Sequence, residues 1–244
     1  MQRTDEWHRA RRGKLTASNM AQALGLAPWG SPAALAKTLQ NDLARQEDPD
    51  SPPAKKLKSS TESTATTATK APKVNPALSY GTGCEPNAIL EYEIVTGQSV
   101  EATGFWPMDH VYWIGASPDG LVGDDGLVEA KCPFNKKLYA QFPLHYYCQV
   151  NAQLQVTGRQ WCDLIAWTPT GSRIWRVKAN KEAWETLLSH YTHFYAKMAR
   201  GEVPPNPSKE VRPLIEAWIE TDVFHLAPIE GDDRGDSVLD GKVG

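Results

Sequence analysis

Two periodicities alternate along the chain and divide it into helices and strands. From residue 4 to 42 the apolar positions recur at helical spacing. "TASNMAQALGL" offers Thr16 and Ser18 as caps and places apolar residues at Met20, Ala21 and Leu24. "SPAALAKTLQNDLARQ" repeats that signature, with Ser31 as cap and Pro32 at the first helical position, where a missing N–H costs nothing. "EPNAILEYEIVTG" reads as a short helix closed by Gly97. The period then shifts: "VYWIGASPDG" runs as a strand into a turn and "GLVEAKCPF" follows it, a hairpin by spacing. "HYYCQVNAQLQVTG" returns to helix and stops at Gly158. "WCDLIAWTP" and "SRIWRVKA" form a second strand pair, and "EAWETLLSHYTHFYAKMARGE" is a long amphipathic helix. Helices, hairpin, helix, hairpin, helix predict an α/β (α+β) fold, a mixed central sheet flanked by helices.

Composition sets the boundaries. Residues 46–76 turn to Pro, Ser, Thr, Lys and Ala with little to bury, so a disordered loop is expected there. The acidic, Gly-rich tail at 229–244 is expected to be mobile, leaving a single domain over 1–228. At 41% hydrophobic with nine Trp, the chain can fill a substantial core, and Trp29, Trp106, Trp113, Trp161, Trp167 and Trp175 are assigned mostly to it. No apolar run reaches the roughly 18 residues of a membrane span, and the charged N-terminus lacks a secretory core. The four Cys stand singly, which argues for reduced thiols rather than a structural zinc or iron–sulfur site. A net charge of −3 means that any nucleic-acid surface must be local. "KKLK" within the loop reads as a solvated charge run, and His145, His190 and His193 show no ligand spacing.

One stretch does not suit an ordinary hairpin. "GASPDGLVGDDGLVEAKCPF" sets Asp119, Glu129 and Lys131 within an apolar frame. Strand alternation puts Glu129 and Lys131 on one face and Ala130 on the other. Asp119 lies in a Pro-Asp-Gly turn that can bend its carboxylate to the same spot. Two carboxylates and a backbone carbonyl make a hard oxygen set suited to magnesium or manganese. A protonated lysine cannot ligate such an ion, but it can hold an attacking water beside a phosphate. The bland alternative is a Glu129–Lys131 salt bridge on an exposed strand; the S-P-D-G turn and the short interval from aspartate to glutamate favour phosphodiester chemistry.

The same stretch resembles the core of the PD-(D/E)XK nucleases, specifically the phage lambda exonuclease (YqaJ-type viral recombinase) family. Four segments carry the resemblance in order: "WHRARRGKLTAS", "YGTGCEPNAILEYE", the SPDG…EAKCPF hairpin and "YYCQVNAQLQVTG". The family's catalytic aspartate, glutamate and lysine imply Asp119, Glu129 and Lys131 here. Its metal shell implies Glu85 beside Asp119, Glu129 and the Ala130 carbonyl. Pro86 departs from the commoner pattern and is expected to confine Glu85 to a first helical turn, where an acid is also simply favourable. Arg11 and Ser18 match the pair that holds a 5′-terminal phosphate, with Ser18 as a plain cap the rival reading. Gln149, and Tyr146 with it, match positions beside the catalytic lysine, Lys137 a basic position facing DNA. Gln153 better fits a polar residue on a half-exposed helix.

The resemblance implies a magnesium-dependent 5′→3′ exonuclease that digests one strand of linear duplex DNA and leaves a 3′ overhang for recombination by strand annealing. Two magnesium ions per site are expected, with manganese able to substitute. It also implies a 5′-phosphorylated duplex end as substrate, a homotrimeric ring, a single-strand annealing protein as partner, and the cytoplasm of a bacterial host. Two other readings stay open at this point: an endonuclease on the same core, restriction or junction-resolving, and a catalytically idle DNA-binding module. Dependence on a DNA end separates the first, and nucleotide release with magnesium the second.

Overall fold

The computed structural model describes residue 2, residues 4–47 and residues 76–228. Its elements in chain order are α1 (Asp5–Arg11), β1 (Leu15–Thr16), a 3-10 turn (Ala17–Asn19), α2 (Met20–Ala23), α3 (Pro32–Glu47), α4 (Pro76–Thr96), β2 (Val100–Glu101), β3 (Trp106–Pro107), β4 (Ile114–Ala116), β5 (Gly120–Val122), β6 (Gly126–Lys131), α5 (Leu144–Thr157), β7 (Trp161–Thr168), β8 (Gly171–Lys178), α6 (Lys181–Ala199), α7 (Ser208–Asp222) and β9 (Val223–Pro228). Six strands form a mixed sheet in the order β2-β5-β6-β7-β8-β9. Only β6 and β7 in it run parallel, and α5 supplies the crossover that a parallel pair needs. A smaller sheet, β1-β4-β3, stands beside it.

Strand alternation sorts side chains onto two faces. Leu127, Leu164, Trp175 and Val177 turn toward α5, α6 and the N-terminal helices, joining Tyr147, Val150, Leu154, Leu187 and Phe194. Val128, Ile165 and Ile174 turn the other way, against Ala88 and Tyr92 of α4. Covered on both faces, β7 reads as a nearly continuous apolar run. Its exception, Asp163, is fully buried; its carboxylate accepts Tyr92 Oη at 2.8 Å and both Nε and Nη2 of Arg176 at 2.8 Å. Arg176 lies over the Trp161 ring, 3.7 Å from its centre.

Most helix ends follow the expected chemistry. Ser31 Oγ accepts Ala34 N–H at 3.2 Å, and Pro32 opens α3. Gly158 (φ 71°) and Gly97 (φ 67°) end α5 and α4 in the left-handed conformation that glycine adopts without a Cβ penalty. Thr16 and Ser18 do not cap: their hydroxyls pair with each other at 3.2 Å, and the 3-10 turn and α2 have no side-chain cap.

Four expectations change. The stretch from 4 to 42 is interrupted by β1, because Leu15 and Thr16 pair in parallel with Ile114 and Gly115. The helix around Glu85 is not short: α4 begins at Pro76 and carries Pro86 in its interior, so Glu85 is not in a first turn. The lost N–H bond of a mid-helix proline is tolerated where tertiary packing outweighs it, and Ala88 and Tyr92 anchor the following turns. The hairpin's first strand is Gly120–Val122 rather than the Ile114 segment, which belongs to the other sheet. α7 and β9 extend the fold beyond the last predicted helix, with β9 closing the sheet edge beside β8. Apart from residues 46, 47 and 76, which end α3 and begin α4, the predicted 46–76 loop lies outside the described residues, as does the tail. No described helix is long and apolar enough to cross a membrane.

Candidate active site

The sheet builds the site where β5 ends and β6 continues. Antiparallel pairing stops at Gly120 opposite Val128, so among the described residues the edge of β6 beyond it has no strand partner on that side. Asp119 fills the place: its Oδ2 accepts the Ala130 N–H at 2.9 Å. A strand residue's N–H and C=O point to the same side, so the Ala130 carbonyl opens toward Asp119 as well. Glu129 and Lys131 project from the opposite pleat toward α5, as alternation predicts.

On that face Glu129 is almost closed off, 4% exposed. Its Oε1 accepts Lys131 Nζ at 2.7 Å and Gln149 Nε2 at 2.5 Å, and its Oε2 accepts Gln153 Nε2 at 2.6 Å. Lys131 Nζ also donates to Gln149 Oε1 at 3.1 Å and lies 4.9 Å from the Tyr146 ring centre. Gln149 therefore bridges the carboxylate and the amine and fixes their spacing. Gln153 was expected to be half-exposed; it is buried beside Glu129. The i, i+4 spacing of the two glutamines on one helix face carried that signal.

Burial and charge crowding together shift the ionisation of these groups. Burial pushes Asp119 well above the usual carboxylate range, and the neighbouring charges of Glu129 and Glu85 push it further. Burial alone would lower Lys131, but Glu129, Tyr146 and Asp119 outweigh it and hold the ammonium protonated. His145, which drew no role from the sequence, is lowered to about 4 by burial and by Lys131, and is neutral near pH 7.

A cleft of about 750 Å3 opens over these groups, and Glu85, Arg11, Ser18 and Tyr146 line it too. Arg11 Nη1 donates to Ser117 Oγ at 2.8 Å, and its guanidinium lies 4.2 Å from the Trp7 ring centre. Trp7 Nε1 donates to the same Ser117 Oγ at 3.1 Å. Ser117 thus ties the N-terminal basic segment to the loop that carries Asp119. It escaped the sequence reading, although the quoted S-P-D-G turn contains it. Ser18 is exposed on the cleft wall, but the helix behind it has only four residues, so the Arg11 charge and the hydroxyls, not a helix dipole, make that wall attractive to anions. Tyr146 Oη pairs with Tyr139 Oη at 3.0 Å. Trp29, assigned to the core, is instead 56% exposed, packs edge-on against His145 and lines the cleft. Lys137 stays outside the cleft lining, exposed, its backbone N–H held by Asn135 Oδ1 at 3.1 Å.

The donors fit a hard divalent cation in kind: Asp119, Glu129 and Glu85 carboxylates with the Ala130 carbonyl. Burial first, and then the charges of Glu129 and Glu85, raise Asp119, as a carboxylate group awaiting a cation would. As they lie, no three His, Cys, Asp or Glu among the described residues form a ligating group, and Glu129 Oε1 is bonded by Lys131 and Gln149. A raised folded value for a carboxyl means that its neutral form stabilises the fold. That contribution is present at low pH and is lost as pH rises through the folded value. Asp119→Asn keeps the acceptor for Ala130 N–H and removes the charge. In chelator at neutral pH it is expected to melt above the parent by calorimetry; an unchanged or lower midpoint would contradict the crowding.

Comparison with known proteins places this geometry. The profile described as the YqaJ-like viral recombinase domain matches residues 6–160, from α1 through α5. The chain belongs to that family. Among solved structures, an alkaline exonuclease from Laribacter hongkongensis superposes with a TM-score of 0.61 at 25% identity, covering 89% of this chain and 100% of that one. The same enzyme in complex with dAMP gives a TM-score of 0.60 at 25% identity over 89% and 97%. A sequence comparison with curated proteins gives no match. Membership of the viral recombinase family, with a fold shared with that alkaline exonuclease, supports a nuclease role in recombination.

Proposed function

We propose that this recombinase-family domain is a magnesium-dependent exonuclease that degrades one strand of linear duplex DNA from a 5′-phosphorylated end. The observation that carries the reading is one cleft holding both the Asp119–Glu129–Lys131 group and Arg11 with Ser18. An internal cutter needs no end-gripping wall, whereas an enzyme that starts at a terminus needs an anion site one nucleotide from its chemistry. Asp119, Glu129, Glu85 and the Ala130 carbonyl would hold magnesium, two ions at most by the donor count, with manganese able to substitute. When bound, the metal supplies charge that offsets the phosphate and polarises it.

The chain's own groups do the rest. Lys131 Nζ orients a water toward the phosphorus and neutralises charge that develops there. Gln149, bonded to both Lys131 and Glu129, keeps the ammonium from swinging onto the carboxylate alone. Tyr146, capped by Tyr139, walls off one side of the amine. Arg11 and Ser18 receive the terminal phosphate, and Lys137 contacts the backbone outside the cleft. Hydrolysis inverts the phosphorus: the attacking water gives up a proton to solvent, the 3′ oxygen leaves with one from solvent, and the next nucleotide presents a new 5′-phosphate to Arg11. The 3′ strand left behind suits an annealing partner, a homotrimeric ring would keep the DNA threaded, and the bacterial cytoplasm supplies the setting.

The test uses linear duplex with a 5′-phosphate or a 5′-hydroxyl, beside a covalently closed circle, each with magnesium. Mononucleotides are expected quickly from the phosphorylated end, slowly from the hydroxyl end and not from the circle. Cutting of the circle would make the protein an endonuclease and remove the roles given to Arg11 and Ser18.

A further inference from the structure

Behind Arg11 a second cavity opens, about 290 Å3, between the N-terminal segment and α3. Arg12, Lys14 and Arg45 line it with His8, and Asp42 is the single carboxylate among the described residues of its wall. His8 and Arg11 line both cavities. The Arg11 guanidinium stands between them. Its Nη1 bonds Ser117 on the candidate-site side at 2.8 Å, and its Nη2 reaches Thr16 Oγ1 at 3.5 Å on the far side. The Ser18 and Thr16 hydroxyls, 3.2 Å apart, link the two in turn.

In a chain of net charge −3 this is a local concentration of positive charge, and a concave wall of one sign focuses its field on anions. Part of that charge is desolvated, since burial lowers both Arg11 and Lys14. Asp42, 4.0 Å from Arg45, is one carboxylate among four lining cations, and Lys14 Nζ donates to the Tyr112 carbonyl. Nothing in the hydrolysis uses Arg12, Lys14 or Arg45. The ligand must be a polyanion whose charges are spaced so that one sits at Arg11 and the next beyond it.

We propose that this pocket receives the backbone phosphates of a 5′ single-stranded extension. The inference rests on the reading that Arg11 and Ser18 hold the 5′-terminal phosphate of a blunt duplex. A strand continuing past that phosphate, away from Asp119 and Lys131, passes Arg11 and meets Arg12, Lys14 and Arg45. The pocket then lets the protein seat ends that are not flush, with the extension held on the far side of Arg11.

Binding is measured by fluorescence anisotropy in chelator, on 5′-phosphorylated duplexes that are blunt or carry three extra 5′ nucleotides. The extension is expected to tighten binding roughly tenfold at low salt and to steepen the salt dependence by roughly 0.7 per added phosphate contact. Arg45→Glu is expected to abolish that gain and leave blunt-end binding unchanged. Asp42→Asn is expected to enlarge the gain, and this opposite sign guards against a folding defect. Equal binding of both duplexes, or an equal loss on both with Arg45→Glu, overturns the proposal. So does displacement of the extension by inorganic triphosphate as readily as by a short oligonucleotide, which would mark a general anion site. No metal is used, so the result stands apart from the nuclease assay: a protein that hydrolyses nothing but keeps the extension preference loses the nuclease reading and retains the pocket.

Discussion

Lys131→Ala is expected to lower hydrolysis of linear duplex DNA by about 10²–10⁴-fold, the range for removing a group that assists proton transfer or positions water. The amine sits 2.7 Å from Glu129 and 3.1 Å from Gln149, and neighbouring carboxylates keep it protonated. No other cation lies in the same hydrogen-bonded set among the described residues, so nothing nearby replaces its charge. The variant leaves the almost closed-off Glu129 without its counter-ion, so it is expected to melt below the parent. Single-turnover release from a labelled end reads the effect, and DNA affinity in chelator reads whether substrate still binds. Activity within about threefold of the parent, with binding intact, would remove Lys131 from the chemistry. Gln149→Ala is a milder companion: it frees the ammonium to collapse onto Glu129 without deleting it.

The largest stability effect is expected away from the cleft. Asp163→Ala leaves the buried Tyr92 hydroxyl and the partly exposed Arg176 guanidinium without their shared acceptor. Leaving a buried donor unmet costs about 1–3 kcal/mol, more for a charged group, and the Arg176 guanidinium, 28% exposed, keeps part of its hydration. Urea unfolding followed by fluorescence measures it. The double change Asp163→Leu with Arg176→Leu is expected to cost much less than Asp163→Ala, since both charges leave together. If the double variant is the worse of the two, the charge-burial account fails and packing of the Trp161–Arg176 stack must dominate.

Much of this was legible because periodicity is a local property. The alternation of "GLVEAK" put Glu129 and Lys131 on one face before any fold was known, and the glycines at 97 and 158 stop their helices where the pattern does. Asp119 was legible because a Pro-Asp-Gly turn leaves few places for its carboxylate. Gln153 was misjudged because its burial depends on what lies across from α5, and only the stacking of α5 on β6 puts Glu129 there. Ser117 had no signal of its own, since its role comes from Arg11, more than a hundred residues earlier in the chain. The length of α4 ran against local preference: mid-helix proline is penalised by the lost N–H, but contacts of Ala88 and Tyr92 with the sheet outweigh it. Trp29 was placed in the core on residue type alone, and type does not report which side of a cleft rim a ring faces.

By itself the sequence determined the type of the principal helices and strands, the shared face of Glu129 and Lys131, and the oxygen-rich donor set, because each depends on neighbours within a few positions. The tertiary structure decided three other things. It closed Glu129 behind two glutamines, brought Arg11 against Ser117 at the edge of the same cleft, and set a second basic cavity behind that arginine. These contacts join residues far apart in the chain, and their spacing follows only once the sheet order and the helix packing have been set by burial of the two apolar faces.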